Sequence, residues 1–194
     1  MSKKRKFLLT LILIFLFICF VFFILPGKTN DYSSSNQLQK IMKVSIDDFA
    51  DGDRIPTKYT CQGQNIAPII NISDVPSEAK SLLLLVEDPD APGDIWNHMI
   101  IWGIQPNNQI LDLNNLPDKV VVGKNSWGKN NYGGPCPPSG THRYFFNLYA
   151  LDIEIQLDKN AYSSLIKDEI SGHVLEYAKH MGTFSKVSNP TESP

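Results

Sequence analysis

The sequence predicts a mainly β fold with one or two short helices near the C-terminus. Short apolar segments alternate with turn residues along most of the chain, a pattern typical of antiparallel sheets. Two segments, residues 82–86 and 142–152, are especially rich in apolar or aromatic side chains. Helix-like spacing occurs only after residue 157, so the strands precede the helices, as in an α+β or mainly β domain.

The first predicted strands are short. Residues 42–49 alternate apolar and polar side chains, and residues 51–53 read Asp-Gly-Asp, which marks a turn. Residues 55–61 and 69–72 are the next strand candidates, with a loop at residues 62–68 between them.

Residues 81–104 form the centre of the predicted fold. The continuous apolar run at residues 82–86 is typical of a strand buried on both faces. Two aspartates and two prolines follow it, and proline is excluded from central ladder positions, so the strand ends there. A histidine then precedes a second apolar strand at residues 99–102.

The later part of the chain alternates loops and strands. We expect a polar loop at residues 106–117 and a short strand at residues 120–122. Residues 125–140 contain four glycines and three prolines and are predicted to form a long shaped loop. Such loops in compact domains are usually functional or disordered.

Two short helices are predicted near the end. Asp158 is a candidate cap for a helix that runs to Leu165, and Ser171 is a candidate cap for a second helix that stops at Gly182. The second helix has an apolar stripe with i, i+1, i+4, i+7 spacing, formed by Val174, Leu175, Ala178 and Met181.

The N-terminus predicts a membrane segment at residues 1–25. A basic cluster precedes nineteen mostly apolar residues, enough to cross a hydrocarbon core of about 30 Å, and the basic flank predicts that the rest lies outside the cytoplasm. A cleaved signal peptide, with secretion, is the alternative. The absence of an A-x-A-like site favours a retained anchor in the cytoplasmic membrane. We expect a tether at residues 26–40, a folded domain at 41–186 and a loose tail at 187–194.

Charge and cysteine content restrict the class of partner. Beyond the basic cluster the chain has 14 basic and 20 acidic residues, a net charge of −6, which disfavours nucleic acid as a partner. Cys61 and Cys136 are the exported cysteines, and an oxidising compartment leaves two alternatives, a disulfide or two free buried thiols. Their spacing does not match a metal site, and we predict neither a metal nor a cofactor.

The candidate functional residues are two carboxylates, two imidazoles and a phenol. Asp88 and Asp90 are two residues apart, so an extended backbone would project both to one side, and His142 and Tyr144 repeat this spacing. His98 completes the set. Each has a simpler structural interpretation: the aspartates as turn acids, His98 as a core histidine, and the other two as packed strand residues. Gly133 and Gly134 could also offer backbone N–H groups to an anion.

Several ordered motifs are similar to those of the phosphatidylethanolamine-binding protein family, also called the Raf kinase inhibitor protein family, and the bacterial branch is most similar. The resemblance covers roughly residues 44–184. The motifs are C-x-G-x-N-x-x-P at 61–68, DPDAP at 88–92, WNH at 96–98, GPCPP at 134–138, HRY at 142–144 and GHVL at 172–175.

This resemblance implies a two-sheet β fold with a small anion pocket at one end, which binds phosphate-like groups or phospholipid headgroups and has no established catalytic step. By position, the ligand-binding residues would be Asp88, Asp90, His98, Gly134, Pro135, His142 and Tyr144. Asn97 and Met99 depart from the family pattern of a second histidine and an aromatic residue, which bears on ligand preference.

Two other functions compete with simple ligand binding. The resemblance also implies an inhibitor or regulator of a protease or kinase that acts through the same pocket. A hydrolase ranks last, because the chain has no G-x-S-x-G or H-E-x-x-H motif. For the binding function, we expect Asp88 and Asp90 to hold His98 and His142 and to favour their protonated forms, so that anion affinity rises as the pH falls.

Overall fold

The structure is a computed structural model that describes residues 40–187, and within them the chain forms two antiparallel sheets and one α-helix. The predicted mainly β, two-sheet fold with a short helix is confirmed. The helix α1 is Ser163–Glu169, and a 3-10 helix spans Thr57–Tyr59. The strands are β1 (Lys43–Ser45), β2 (Ile69–Ser73), β3 (Ser81–Asp88), β4 (Trp96–Ile104), β5 (Gln109–Asp112), β6 (Val121–Val122), β7 (Thr141–Leu151) and β8 (Val174–Ser185).

The larger sheet has the strand order β6-β4-β3-β7-β8, and the smaller has the order β1-β2-β5. All eight residues of β3 are buried, because this strand is central and both faces of its sheet are covered. Its even-numbered apolar residues, such as Leu84, pack into the core shared with β2, and its odd-numbered ones, such as Leu85, pack with Ile166 of α1. This explains why the sequence of β3 is continuously apolar rather than alternating.

The second predicted helix is wrong, because its residues form β8. This twelve-residue strand pairs with β7 along its length, with Tyr144 opposite Gly182 and Phe146 opposite His180. Ala178, His180, Gly182 and Phe184 are buried alternately, so a period of two buries the core face of this segment. The four residues of the predicted apolar stripe have helical spacing, but Ala178 is the one among them that is buried.

The first predicted helix begins later than expected. Asp158 caps a turn instead, since its carboxylate accepts a hydrogen bond from the Asn160 amide at 2.6 Å and its carbonyl accepts one from Ala161 at 3.0 Å. The helix itself starts at Ser163.

Two strand assignments also need correction. Residues 55–61 contain the 3-10 helix, because Pro56 has no amide hydrogen and the Thr60 amide bonds back to Thr57 rather than to a neighbouring strand. The predicted loop at 106–117 contains β5, whose two apolar residues are too few to reveal a period but which pairs with the edge of β2.

The predicted N-terminal membrane segment, most of the tether and nearly all of the C-terminal tail lie outside the described residues. Within residues 40–187, no helix is long and apolar enough to cross a membrane. The domain boundaries therefore stay predictions.

Candidate functional site

A cavity of about 340 Å³ lies where the ends of β3 and β7 meet β4 and the long glycine-proline loop. Its polar side chains are Asp88, His98 and His142. Its apolar wall consists of Ala91, Pro92, Trp96, Trp127, Cys136, Pro137 and Pro138. Within the described part of the chain, no lysine or arginine lines this cavity, so an anion there would meet imidazoles rather than permanent cations.

Asp88 and His142 form a buried pair in this cavity. Asp88 is the last residue of β3, and the pairing of β3 with β7 brings it beside His142, whose Nδ1 lies 2.8 Å from Asp88 Oδ2. A carboxylate oxygen can only accept, so His142 Nδ1 donates this hydrogen bond, and its Nε2 remains for a ligand. The other carboxylate oxygen of Asp88 accepts the Asp90 amide at 2.9 Å.

His98 is held by the glycine-proline loop. Its Nδ1 donates to the Gly133 carbonyl, and the Gly133 amide donates back to the His98 carbonyl at 3.0 Å. Burial lowers the pKa of His98, although the Gly133 hydrogen bond and Asp88 oppose that shift. The Gly133 carbonyl, and not an aspartate, therefore orients His98, and burial outweighs the expected effect of Asp88 in favour of the protonated form.

The ring of Tyr144 packs against both histidines of the cavity. Its ring meets His98 edge-on at 5.2 Å between centroids and stacks on His142 at 6.4 Å. It does not line the cavity, and its buried hydroxyl has no hydrogen-bond partner among residues 40–187. Burial first, and then Asp88, raise the pKa of Tyr144, so the phenol stays protonated.

Asp90 is directed away from the cavity, which corrects the expectation that both aspartates face one side. The chain turns after Asp88, and extended-backbone geometry no longer applies. The carboxylate of Asp90 accepts from the Arg143 amide at 2.9 Å, from its Nε at 2.9 Å and from its Nη2 at 2.6 Å. Hydrogen bonds from the Arg143 side chain lower the pKa of Asp90 to about 2.

Gly133 and Gly134 of the long loop do not offer free amides to an anion. Gly133 donates to His98, and Gly134 donates to Asn65 Oδ1 at 2.7 Å. Gly134 lines a second cavity of about 280 Å³ beside the first, and Pro135 accepts the Cys61 amide at 3.1 Å. These hydrogen bonds hold the loop in its shape. The predicted anion site of free N–H groups at Gly133 and Gly134 is therefore wrong.

A disulfide joins Cys61 and Cys136, whose Cα atoms are 5.4 Å apart. Of the two alternatives left open by the sequence, the structure has the bonded one. Cys136 lines both cavities, so the bond fixes the loop at their common wall.

Trp127 is the main residue that the sequence reasoning missed. It lines both cavities and packs edge-on against His98 at 5.2 Å and Trp96 at 5.3 Å. Its loop has no periodicity, but a single tryptophan among glycines and asparagines was a usable signal. For metals, no group of three or more His, Cys, Asp or Glu side chains within residues 40–187 is arranged to hold an ion.

Comparison with known proteins identifies the family. A sequence model described as phosphatidylethanolamine-binding protein matches residues 45–185. The chain belongs to the phosphatidylethanolamine-binding protein family. As a member of this family it is a binding protein, and the predicted resemblance is confirmed.

Relatives cover the same region. A UPF0098 protein of Methanothermobacter thermautotrophicus is 44% identical over 150 residues, which are 75% of this chain and 99% of that protein. A solved structure of a putative homologue of the family from Chlamydia trachomatis is 37% identical, with a TM-score of 0.72 over 76% of this chain and 99% of that one. Escherichia coli YbcL, described as a member of the mammalian family, is 28% identical, with a TM-score of 0.71 over 75% and 99%.

Proposed function

We propose that this family member is an exported, membrane-tethered protein that binds phosphate-like groups or phospholipid headgroups in the cavity of Asp88, His98 and His142. The observation that carries the proposal is the convergence of these three buried polar side chains on one small cavity with apolar walls. Buried polar groups that converge in such a cavity are the usual mark of a ligand site.

The carboxylate and the imidazoles have complementary parts in this proposal. A phosphate monoester carries a charge of about −1.5 to −2 near pH 7 and titrates near pH 6. A protonated His142 would donate from Nε2 to a phosphate oxygen, while Asp88 holds its ring through Nδ1. Neutral His98 has its Nε2 lone pair free and would accept a proton from a phosphate hydroxyl or an ammonium group.

Calorimetric titration of the full chain in mild detergent, with phosphate and phosphoethanolamine, tests the proposal. We expect affinity to be higher at about pH 5.5 than at about pH 8, either side of the unperturbed histidine pKa. Because burial lowers the pKa of His98, this histidine keeps its neutral acceptor nitrogen to a lower pH than an exposed imidazole would. Sulfate keeps its charge throughout and separates titration of the protein from titration of the ligand. Equal affinity at both pH values would contradict the pH dependence.

The chain provides a matched control for the site. His173 and Asp152 form a second histidine–aspartate pair, with Nδ1 and Oδ1 2.8 Å apart, outside the cavity. We expect His142→Ala to lose phosphate binding and His173→Ala to retain it. Equal losses in the two variants, or no binding to the unsubstituted chain, would exclude the proposed pocket.

We propose no catalytic step, and a phosphatase and esterase screen of the same preparation checks this. For location, we propose the cytoplasmic membrane with the domain on the outer side. Retention in the membrane fraction after an alkaline wash would support a retained anchor, and release would favour the cleaved alternative.

A further inference from the structure

Exposed apolar residues lie in the wall of the cavity and beside it. We define the rim as Pro92, Ile95, Trp127, Pro138 and Tyr162, which come from three separate segments of the chain. All five are exposed, with Ile95, Trp127 and Tyr162 at 41%, 44% and 52%. Pro92, Trp127 and Pro138 also line the cavity itself.

Hydrogen bonds tie these segments together. The Asn97 amide donates to Ser126 Oγ at 2.8 Å, which joins the segment of Ile95 to that of Trp127. The Asn97 side chain donates to Ser163 Oγ at 2.9 Å, which adds the segment of Tyr162. These bonds hold the three segments that carry the rim in fixed positions relative to one another.

The chain around Trp127 is basic, although the exported part as a whole is acidic. Between Asp118 and Asp152 the sequence has three lysines and one arginine and no acidic residue. Lys124 and Lys129 flank Trp127 within this stretch, and both are at least partly exposed. Asp94 is an acidic residue next to Ile95 of the rim, and its carboxylate accepts the Ile95 amide at 2.7 Å.

We propose that the rim docks on the surface of a phospholipid bilayer and directs the mouth of the cavity onto the headgroups. Tryptophan and tyrosine favour the membrane–water interface because they have an apolar body and a polar tip. Lysines beside them are complementary to lipid phosphates. A headgroup that stays in its bilayer can enter the cavity only if the mouth faces the membrane, and the mouth is where the apolar residues lie.

This inference rests on the proposed function. The proposed tether favours docking because it limits the distance between the domain and the membrane. The fifteen residues at 26–40 can span at most about 50 Å, at roughly 3.3–3.6 Å per residue. A domain held this close to a membrane has a high effective concentration at its surface, so weak docking suffices.

Fluorescence quenching of the full chain in liposomes tests the proposal. The vesicles contain phosphatidylcholine and phosphatidylethanolamine, with a small fraction of lipid that carries a spin label on its headgroup. The difference between the unsubstituted chain and Trp127→Phe isolates Trp127 emission from that of Trp96 and Trp102. A second variant combines Trp127→Phe with Ile110→Trp. It places a tryptophan on the outer face of the smaller sheet, because Ile110 is 73% exposed. We expect loss of most of the Trp127 emission and little loss at position 110.

Paired variants separate docking from ligand binding. Ile95→Ser with Tyr162→Ser changes the rim but not the cavity lining, and Ile69→Ser with Ile110→Ser is the matched control on the smaller sheet. We expect the rim pair to abolish the quenching of Trp127 and to retain calorimetric binding of soluble phosphoethanolamine, and the control pair to change neither.

Quenching that is equal at positions 127 and 110, or that is unaffected by the rim pair, would overturn the docking surface. So would unquenched Trp127 whose emission shifts with protein density, because a second copy would then cover the rim. If the unsubstituted chain does not bind phosphoethanolamine, the proposed function is overturned instead. Failure of the docking surface and failure of the proposed function are therefore distinguishable.

Discussion

Asp88 and Asp90 stand two residues apart and have different chemical roles. Asp88 is buried with His142, while Asp90 is bound by the partly exposed guanidinium of Arg143. One turn of the backbone separates a carboxylate that lines the cavity from one that binds Arg143 of β7.

This difference predicts opposite outcomes for two conservative substitutions. We expect Asp88→Asn to lower phosphoethanolamine affinity about tenfold or more, or about 1.4 kcal/mol, because the charge beside His142 is lost. Asp90→Asn should change affinity by only about twofold or less, or about 0.4 kcal/mol, because Asp90 is bound to Arg143 and does not line the cavity. Calorimetry at one pH checks both, and a loss that is larger for Asp90→Asn would contradict the assigned roles.

At this scale the sequence identified the three polar cavity residues and the pairing of Asp88 with His142, but not the partners of His98 and of the loop glycines. Asp88, His98 and His142 stood out by type, position at strand ends and family resemblance. The partner of Gly134 is Asn65, 69 residues away, and such a contact has no local signature. The two-residue alternation of an extended strand predicted the direction of the Asp90 side chain. The chain turns after Asp88 instead, and this turn sets the direction.

At the scale of elements, β7 and β8 form the longest pairing among the strands of residues 40–187, with eleven paired positions from Thr141 opposite Ser185 to Leu151 opposite Val174. The strands with uniform apolar sequence, β3 and β4, were predictable because both faces of their sheet are covered. β8 was not, because its exposed face has apolar residues such as Leu175 that mimic a helical stripe, and only the pairing with β7 decides the period.

Gly182 shows how closely β8 packs against the start of the domain. A Cβ there would overlap Ile55 and lie 2.7 Å from Phe49 Cε2. We therefore expect Gly182→Ala to lower the free energy of unfolding by roughly 1–3 kcal/mol, as overpacking does in other cores.

Urea unfolding monitored by tryptophan fluorescence measures this loss. Leu175→Ala, at an exposed position of the same strand, is the control and should stay within about 0.5 kcal/mol. Equal free energies of unfolding for the two variants would show that residues 49–55 move aside without a loss of stability.

At the scale of the whole molecule, the disulfide connects segments that are distant in sequence. Cys61 and Cys136 are 75 residues apart, and the bond links the 3-10 region to the wall shared by the two cavities. The two cysteines and the predicted export made the bond one of two alternatives, but its formation depends on a distance that only the fold sets.

Removal of this bond should destabilise the domain. For a loop of this length, the chain-entropy account gives about 4 kcal/mol, and measured losses are typically about 2–4 kcal/mol. We expect dithiothreitol to lower the urea midpoint of the unsubstituted chain, and to have no effect on a variant with Cys61→Ser and Cys136→Ser. A midpoint that reduction leaves unchanged would contradict a stabilising role.

The order of strands in the larger sheet also determines when a binding site can exist. β3 is complete at Asp88, but the cavity needs His142, 54 residues later, and β7 in turn pairs with a strand that ends at Ser185. Pairing between such distant segments forms late in folding, after most of the chain is available. A chain that still lacks its last strand therefore has no complete cavity, which forms only when β8 closes the larger sheet.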